Sequence, residues 1–110
     1  MAIKSNIFID QGTDVEFTYN LKNDDGSVLI LTGYTATSQL RKHYSSSNAY
    51  SFTTVIDEGN GLVTISMNSS ATANITAGRY VYDCEVTSNT GTISRIVEGI
   101  ATIRPQVTRI

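Results

Sequence analysis

Residues 79–87 read RYVYDCEVT, and this stretch decides the fold class. Tyr80, Tyr82, Cys84 and Val86 share one parity, whereas Asp83 lies on the other parity together with a glutamate. An alternation with a period of two predicts a β-strand with one buried face and one wet face. A shift of register by one residue would bury two carboxylates, so the pattern also predicts which face is inward.

Seven further runs of this kind flank the central run, and short turn sequences containing Gly, Asn, Asp or Ser separate them. These runs are residues 5–9, 14–21, 28–31, 34–42, 50–56, 62–67 and 92–104. The run at 50–56 is read as one strand, and Gly99 predicts a bulge or bend in the long last run. Residues 28–31 are expected to form a hairpin with the run that precedes them.

Between residues 68 and 77 the period changes, and Asn68 or Ser69 predicts the N-cap of one or two helical turns. No segment is long enough for the crossover helix that parallel strands need, so antiparallel neighbours are expected throughout. The prediction is an all-β fold, an immunoglobulin-like antiparallel β-sandwich of 7–8 strands with one short helical turn. It forms a single domain over residues 1–110, and residues 2–9 and 105–110 are expected to act as arms on neighbouring subunits.

Composition narrows the functional classes. The 110 residues carry 8 Lys and Arg against 10 Asp and Glu, which gives a net charge of -2 and no footprint for nucleic acid or an anionic membrane. One His and one Cys leave few ligands or nucleophiles, so we expect no cofactor, no metal and no small-molecule substrate. The first residues lack the apolar run of a signal peptide, which favours synthesis in a cytoplasm.

Individual residues have a structural and a functional interpretation. His43 lacks neighbours at ligand spacing, so an exposed loop-end histidine is favoured over a metal ligand. Cys84 is interpreted as a buried small hydrophobe rather than a nucleophile. The serine-rich loop and the C-terminal tail are the candidate protein–protein contacts, through Tyr44, Ser46, Asn48, Tyr50, Gln106, Val107 and Ile110.

Several short motifs occur in a distinctive order: QGT at 11–13, DDGS at 24–27, LTGYTA at 31–36, QLRK at 39–42, GLVT at 61–64 and AGRYVYD at 77–83. In this order they resemble small virion proteins of tailed bacteriophages. The chain is similar to the immunoglobulin-like N-terminal domain of phage baseplate upper proteins, and to structural proteins of marine and cyanobacterial phages. The resemblance covers residues 8–104. It implies a non-enzymatic virion protein whose partners are copies of itself and other virion proteins.

Three functional classes stay open. The first is a structural protein of the tail or baseplate, with a head decoration or neck protein as the alternative within that class. The second is a carbohydrate-binding or adhesin module, which exposed tyrosines and polar loops would suit. The third is an enzyme, which has the least support because no paired carboxylates or triad are visible in the sequence.

Overall fold

The computed structural model describes residues 2–108 and contains two β-sheets and one short helix. The larger sheet consists of β1 (Ile3–Lys4), β2 (Ile7–Asp10), β4 (Thr35–Arg41), β5 (Tyr50–Ser51), β8 (Gly78–Thr87) and β9 (Ile93–Arg104). The smaller sheet consists of β3 (Val15–Asn20), β6 (Thr53–Asp57) and β7 (Leu62–Met67), and the helix is α1 (Ser69–Ala73). Inward side chains of both sheets form one apolar core. The predicted all-β sandwich is confirmed.

The strand order is that of an immunoglobulin-like domain. β4, β8 and β9 are neighbours in the larger sheet, and the smaller sheet has the order β3-β7-β6. These are the places of strands C, F and G and of strands B, E and D in the immunoglobulin fold. The Tyr80 hydroxyl donates to the Thr76 carbonyl at 2.7 Å, which reproduces the tyrosine corner at the start of strand F.

The central strand β8 has the predicted parity. Tyr80, Tyr82, Cys84 and Val86 are all buried, and the residues between them are only half-buried. β8 pairs antiparallel with β4 on one side and with β9 on the other. Two flanking strands and a buried face make it the middle of the larger sheet.

The N-terminal segment differs from two expectations, an arm on a neighbouring subunit and antiparallel pairing. β1 and β2 pair in parallel with β9, and Ile7 and Ile9 are buried in the core of their own chain. The parallel partner is reached from the opposite end of the sequence, so no crossover helix between adjacent strands is required. The prediction of an N-terminal arm was therefore wrong, as was the expectation of antiparallel neighbours throughout.

Two of the predicted strands have a different extent. Residues 28–31 form one isolated bridge between Lys22 and Val28 instead of a strand. The run at 50–56 is split between the two sheets: β5 pairs with β4, and β6 pairs with β7. Phe52 lies at the crossing, where its side chain is buried and its N–H donates to the Ser38 carbonyl at 2.9 Å. The residues before and after Phe52 both have strand-forming composition, so the sequence does not indicate that the chain passes from one sheet to the other there.

The irregularity of β9 is not at Gly99. The register shifts between Cys84 and Glu85, which pair with Val97 and Arg95 and leave the residue between those two unpaired. Gly99 instead allows the backbone of Ser5 to pack closely against β9, because a Cβ at this position would collide with that backbone.

The short helix forms where the period changes. Asn68 is its N-cap, and its side-chain oxygen accepts from the Ala71 N–H at 2.8 Å. Ile75 follows the helix and is buried. The predicted cap and helical turn are confirmed.

Candidate interaction surface

The loop between β4 and β5, residues 42–49, is held in shape by its own hydrogen bonds. The Arg41 guanidinium donates through Nη1 to the Ser46 carbonyl at 2.5 Å. The Ser46 N–H donates to the His43 carbonyl, and the His43 N–H donates to the Ser46 Oγ, both at 3.0 Å. Tyr44 lies inside this turn with 84% of its surface exposed. The loop therefore presents a large aromatic side chain on an ordered backbone.

Tyr44 borders a concavity on the solvent-facing side of the larger sheet, which we name the outer groove. Its volume is about 290 Å³. The strands β4, β8 and β9 supply the floor, and Tyr44 supplies part of the wall. The lining residues are Gln39, Arg41, Tyr44, Val81, Tyr82, Asp83, Glu85, Arg95 and Glu98.

Arg95 is paired with two carboxylates in the outer groove. Arg95 Nε lies 3.2 Å from Asp83 Oδ2, and Arg95 Nη1 lies 3.1 Å from Glu98 Oε1. The hydrogen bond to Glu98, and then the charge of Asp83, raise the pKa of the Arg95 guanidinium. Arg41 also donates to the Gln39 Oε1 at 3.0 Å. Water reaches these pairs, so they orient the side chains more than they stabilise the fold.

A second concavity lies at the base of the same loop, which we name the loop-base groove. Its volume is about 460 Å³, and its lining residues are Lys42, Ser46, Ser47, Asn48, Tyr50, Thr76, Ala77 and Tyr80. The rings of Tyr50 and Tyr80 meet edge to face, with centroids 6.2 Å apart. Lys42 Nζ lies 5.0 Å from the Tyr80 centroid. Burial, and then Tyr50, raise the pKa of the Tyr80 hydroxyl, so it stays neutral.

The predicted loop contacts are divided between the two grooves. Tyr44 borders the outer groove, whereas Ser46, Asn48 and Tyr50 line the loop-base groove. The sequence predicts Tyr44 and Tyr50 as exposed contact residues, and for Tyr50 the exposure is wrong. It is half-buried and packs against the core, because its ring contacts the buried Tyr80.

The predicted tail contacts behave differently from one another. The Gln106 N–H donates to the side chain of Gln11 at 3.0 Å, which ties this residue to its own domain. Val107 is 93% exposed. Ile110 lies outside the described residues. Gln11 also donates to the carbonyl of Ile75, close in sequence to the Thr76 that lines the loop-base groove, so the described tail begins near the same end of the sandwich as the loop.

The outer groove was not identified from the sequence. Its charged residues lie on three strands, and the sequence predicts only that Asp83 and a neighbouring glutamate lie on the wet face of one of them. The cross-strand register brings Asp83 opposite Glu98 and places Arg95 opposite Glu85. The sequence did contain one signal, the carboxylates Asp83 and Glu85 on the outward face of β8. Which residues of β9 lie opposite them depends on the position of the bulge.

The interior holds the most strongly shifted titratable groups. Cys84 is a buried free thiol, and burial, followed by the charge of Asp83, raises its pKa to about 11. Burial also raises the pKa of Tyr82, which bonds to the Tyr19 hydroxyl. Among residues 2–108, no three His, Cys, Asp or Glu side chains are grouped closely enough to hold a metal ion. None of the helices in the described chain has the length and apolar character to cross a membrane.

Comparisons with known proteins give a structural likeness of low sequence identity. No protein-family model matches the chain. No curated protein matches it either. Among solved structures, an internalin-like protein of Listeria monocytogenes matches with a TM-score of 0.46 and 16% sequence identity. The match covers 94% of this chain and 28% of that protein.

Proposed function

We propose that this chain is a non-enzymatic structural component of a tailed-phage virion. It is made in the cytoplasm of the bacterial host and takes its place in the tail or baseplate. There it acts through repeated contacts with copies of itself and with other virion proteins. It requires no cofactor, nucleic acid, membrane or small-molecule substrate. The phage assignment is supported by the resemblance of the ordered motifs.

The observation that carries a role in protein contacts is the presentation of Tyr44. Its ring is 84% exposed beside the outer groove, and the hydrogen bonds around Ser46 fix the backbone that holds it. An aromatic side chain has two side-chain torsions and a large apolar area, so burying it in an interface stabilises a complex at a small entropic cost. A partner that covers the outer groove would gain this area.

The chemistry of the titratable groups supports a non-enzymatic role. Groups with strongly raised pKa values, Tyr82 and Cys84, are neutral core side chains that face away from solvent. Catalytic acids and bases have shifted pKa values inside accessible clefts. In the outer groove, the Arg95 cation is already paired with Asp83 and Glu98. These features suit a binding surface better than a reactive one.

The test is incorporation into particles. In a phage that lacks its own copy of this gene, the chain is supplied from a plasmid, and purified particles are probed by immunoblot and immunogold labelling. We expect labelling at the tail tip, and we expect Tyr44→Ala to reduce incorporation at least several-fold. The control is His43→Ala, an exposed change on the same loop at a residue that lines neither groove. Absence of the wild-type chain from purified particles would refute the proposal.

A head decoration or neck protein is the alternative within the same class. Repeated weak contacts on a symmetric lattice gain effective concentration at either location. A cryo-electron reconstruction of the particle distinguishes them by the position of the density. Density on the capsid or at the neck would favour this alternative over the tail or baseplate.

A carbohydrate-binding module is the second candidate, and the lining of the outer groove favours it. Gln39, Arg41 and Glu85 supply hydrogen-bonding groups next to the Tyr44 ring. Saccharides are bound by such combinations of polar side chains and an aromatic face. Saturable binding to a glycan array, lost in Tyr44→Ala and retained in His43→Ala, would favour this candidate over the structural role.

A further inference from the structure

The strand β3 has one unpaired side. It lies at the end of the smaller sheet, and along residues 15–20 its partner in the described chain is β7. The Leu21 N–H donates to the Gly61 carbonyl at 2.7 Å, which continues the same register. Because hydrogen-bonded positions alternate in an antiparallel pair, odd-numbered residues of β3 direct their backbone groups toward β7. The N–H and C=O groups of Glu16, Thr18 and Asn20 therefore face the open side.

The inward side chains at this edge are incompletely covered. Val15, Phe17 and Tyr19 are half-buried, whereas their neighbours in β7 are buried. At six residues, β3 is the longest edge strand of the described chain. It contains no Lys, Arg or Pro and no bulge, and Glu16 is the one charged residue among the devices that usually protect an exposed edge. The open edge of β3 therefore offers a partner strand both unpaired backbone hydrogen-bonding groups and partly exposed apolar side chains.

We propose that β3 pairs antiparallel with β3 of a second copy, across a two-fold axis that passes through Thr18. In this register Thr18 lies opposite Thr18 of the second copy, and Glu16 lies opposite Asn20. Each of the three open residues then forms the two backbone hydrogen bonds of an antiparallel pair. If the register between the two β3 strands shifted by two residues in either direction, only two of the three open residues would have a partner within the strand.

The side chains of this pairing are complementary to themselves. On the inner face, Phe17 meets Tyr19 of the second copy at a non-hydrogen-bonded position, where side chains approach most closely. On the outer face, the two Thr18 hydroxyls meet, and Glu16 faces the neutral Asn20. No like charges are opposed. This self-complementarity is what a two-fold interface between identical strands requires, and it selects a second copy as the occupant.

The pairing is independent of the proposed virion role. A dimer formed through β3 can exist in a protein that never enters a particle, and a virion protein can assemble without it. Failure of the incorporation experiment therefore leaves this inference standing, and the reverse also holds.

Cross-linking tests the register. In the proposed pair the two Thr18 Cα atoms lie about 5.5 Å apart, which suits a disulfide. We expect Thr18→Cys to form a covalent dimer under mild oxidation. Thr64→Cys is the matched control, because Thr64 pairs with Thr18 on the same sheet face but belongs to the central strand β7. The native Cys84 is buried. Equal cross-linking of both variants would overturn the register.

Sedimentation and amide exchange test the interface without a cysteine. We expect Thr18→Lys to abolish the dimer, because it opposes two cations across the axis, and we expect Thr64→Lys to retain it. Both variants remove the Thr18–Thr64 hydroxyl contact. In the wild type, the amides of Glu16, Thr18 and Asn20 should become protected as concentration rises, whereas Phe17 is protected throughout. A wild-type chain that stays monomeric at millimolar concentration, or a dimer whose three amides exchange freely, would overturn the proposal.

Discussion

Replacing Tyr82 by alanine removes the side chain at which both sheets and the N-terminal segment meet. The ring is 4% exposed, and its centroid lies 6.3 Å from that of Phe52. The hydroxyl lies 3.2 Å from the Tyr19 hydroxyl and donates to the Ser5 carbonyl at 2.5 Å. Truncating a core aromatic lowers the free energy of unfolding by ~3–5 kcal/mol. The lost hydrogen bond accounts for about 1 kcal/mol of that.

Two variants separate the ring from the hydroxyl. Tyr82→Phe keeps the ring, so it should lower the free energy of unfolding by about 1 kcal/mol. Tyr82→Ala should lower it by about 4 kcal/mol and lower the melting temperature by roughly 15 °C in a domain of this size. Urea titration followed by circular dichroism measures both values. The control is Tyr44→Ala, the same truncation at an 84% exposed position, which should change the free energy by under ~0.5 kcal/mol.

The buried hydroxyl of Tyr82 also makes the stability depend on pH. Burial raises the pKa of Tyr82 above its ordinary value of 10.0. Above that pH the hydroxyl ionises in the unfolded chain while it stays protonated in the folded chain, so stability falls as pH rises. The free energy of unfolding of Tyr82→Phe should fall less steeply as pH rises.

A free energy of unfolding of Tyr82→Ala within ~1 kcal/mol of the wild-type value would show that the core is not organised around this ring.

Three further changes probe other parts of the fold. Cys84 should react with thiol reagents only slowly in the native protein, since burial raises its pKa to about 11, and fast labelling without denaturant would contradict this. Gly99→Ala should lower the free energy of unfolding by ~1–3 kcal/mol through collision with Ser5, whereas Gly59→Ala, which meets open space, should be near neutral in the same urea titration. Asn68→Ala should cost about 1 kcal/mol by removing the helix cap, and an unchanged urea midpoint would contradict the capping role.

The strands that the sequence predicts well are those with local evidence. Alternation in β8 and β7 depends on each strand having one core face, and both strands are central in their sheets. The helix cap at Asn68 is likewise encoded within a few residues. Such features need no knowledge of the partner strand, so residue order alone is sufficient.

The features that the sequence does not predict depend on distant partners. β2 pairs with a strand from the other end of the chain, and no turn sequence marks a pairing of that kind. The change of sheet at Phe52 occurs inside a continuous run of strand-forming residues. The outer groove combines side chains from three strands with Tyr44, so its shape follows from register. Only the exposure of Tyr44 had a local signal, in the polar loop around it.

The pairing of the N-terminal segment with β9 explains why one edge of β3 has no partner strand in the described chain. In a constant-type immunoglobulin domain the first strand extends the sheet that contains strand B, which is β3 here. In this chain the segment joins β9 in the other sheet. The Asn6 side chain accepts from the Ile100 N–H at 3.0 Å, and Asp10 accepts from Arg104 Nε at 2.6 Å. Both strands of the segment, β1 and β2, pair with β9. The contacts that hold it beside β9 therefore leave the backbone groups of Glu16, Thr18 and Asn20 for a strand from outside the domain.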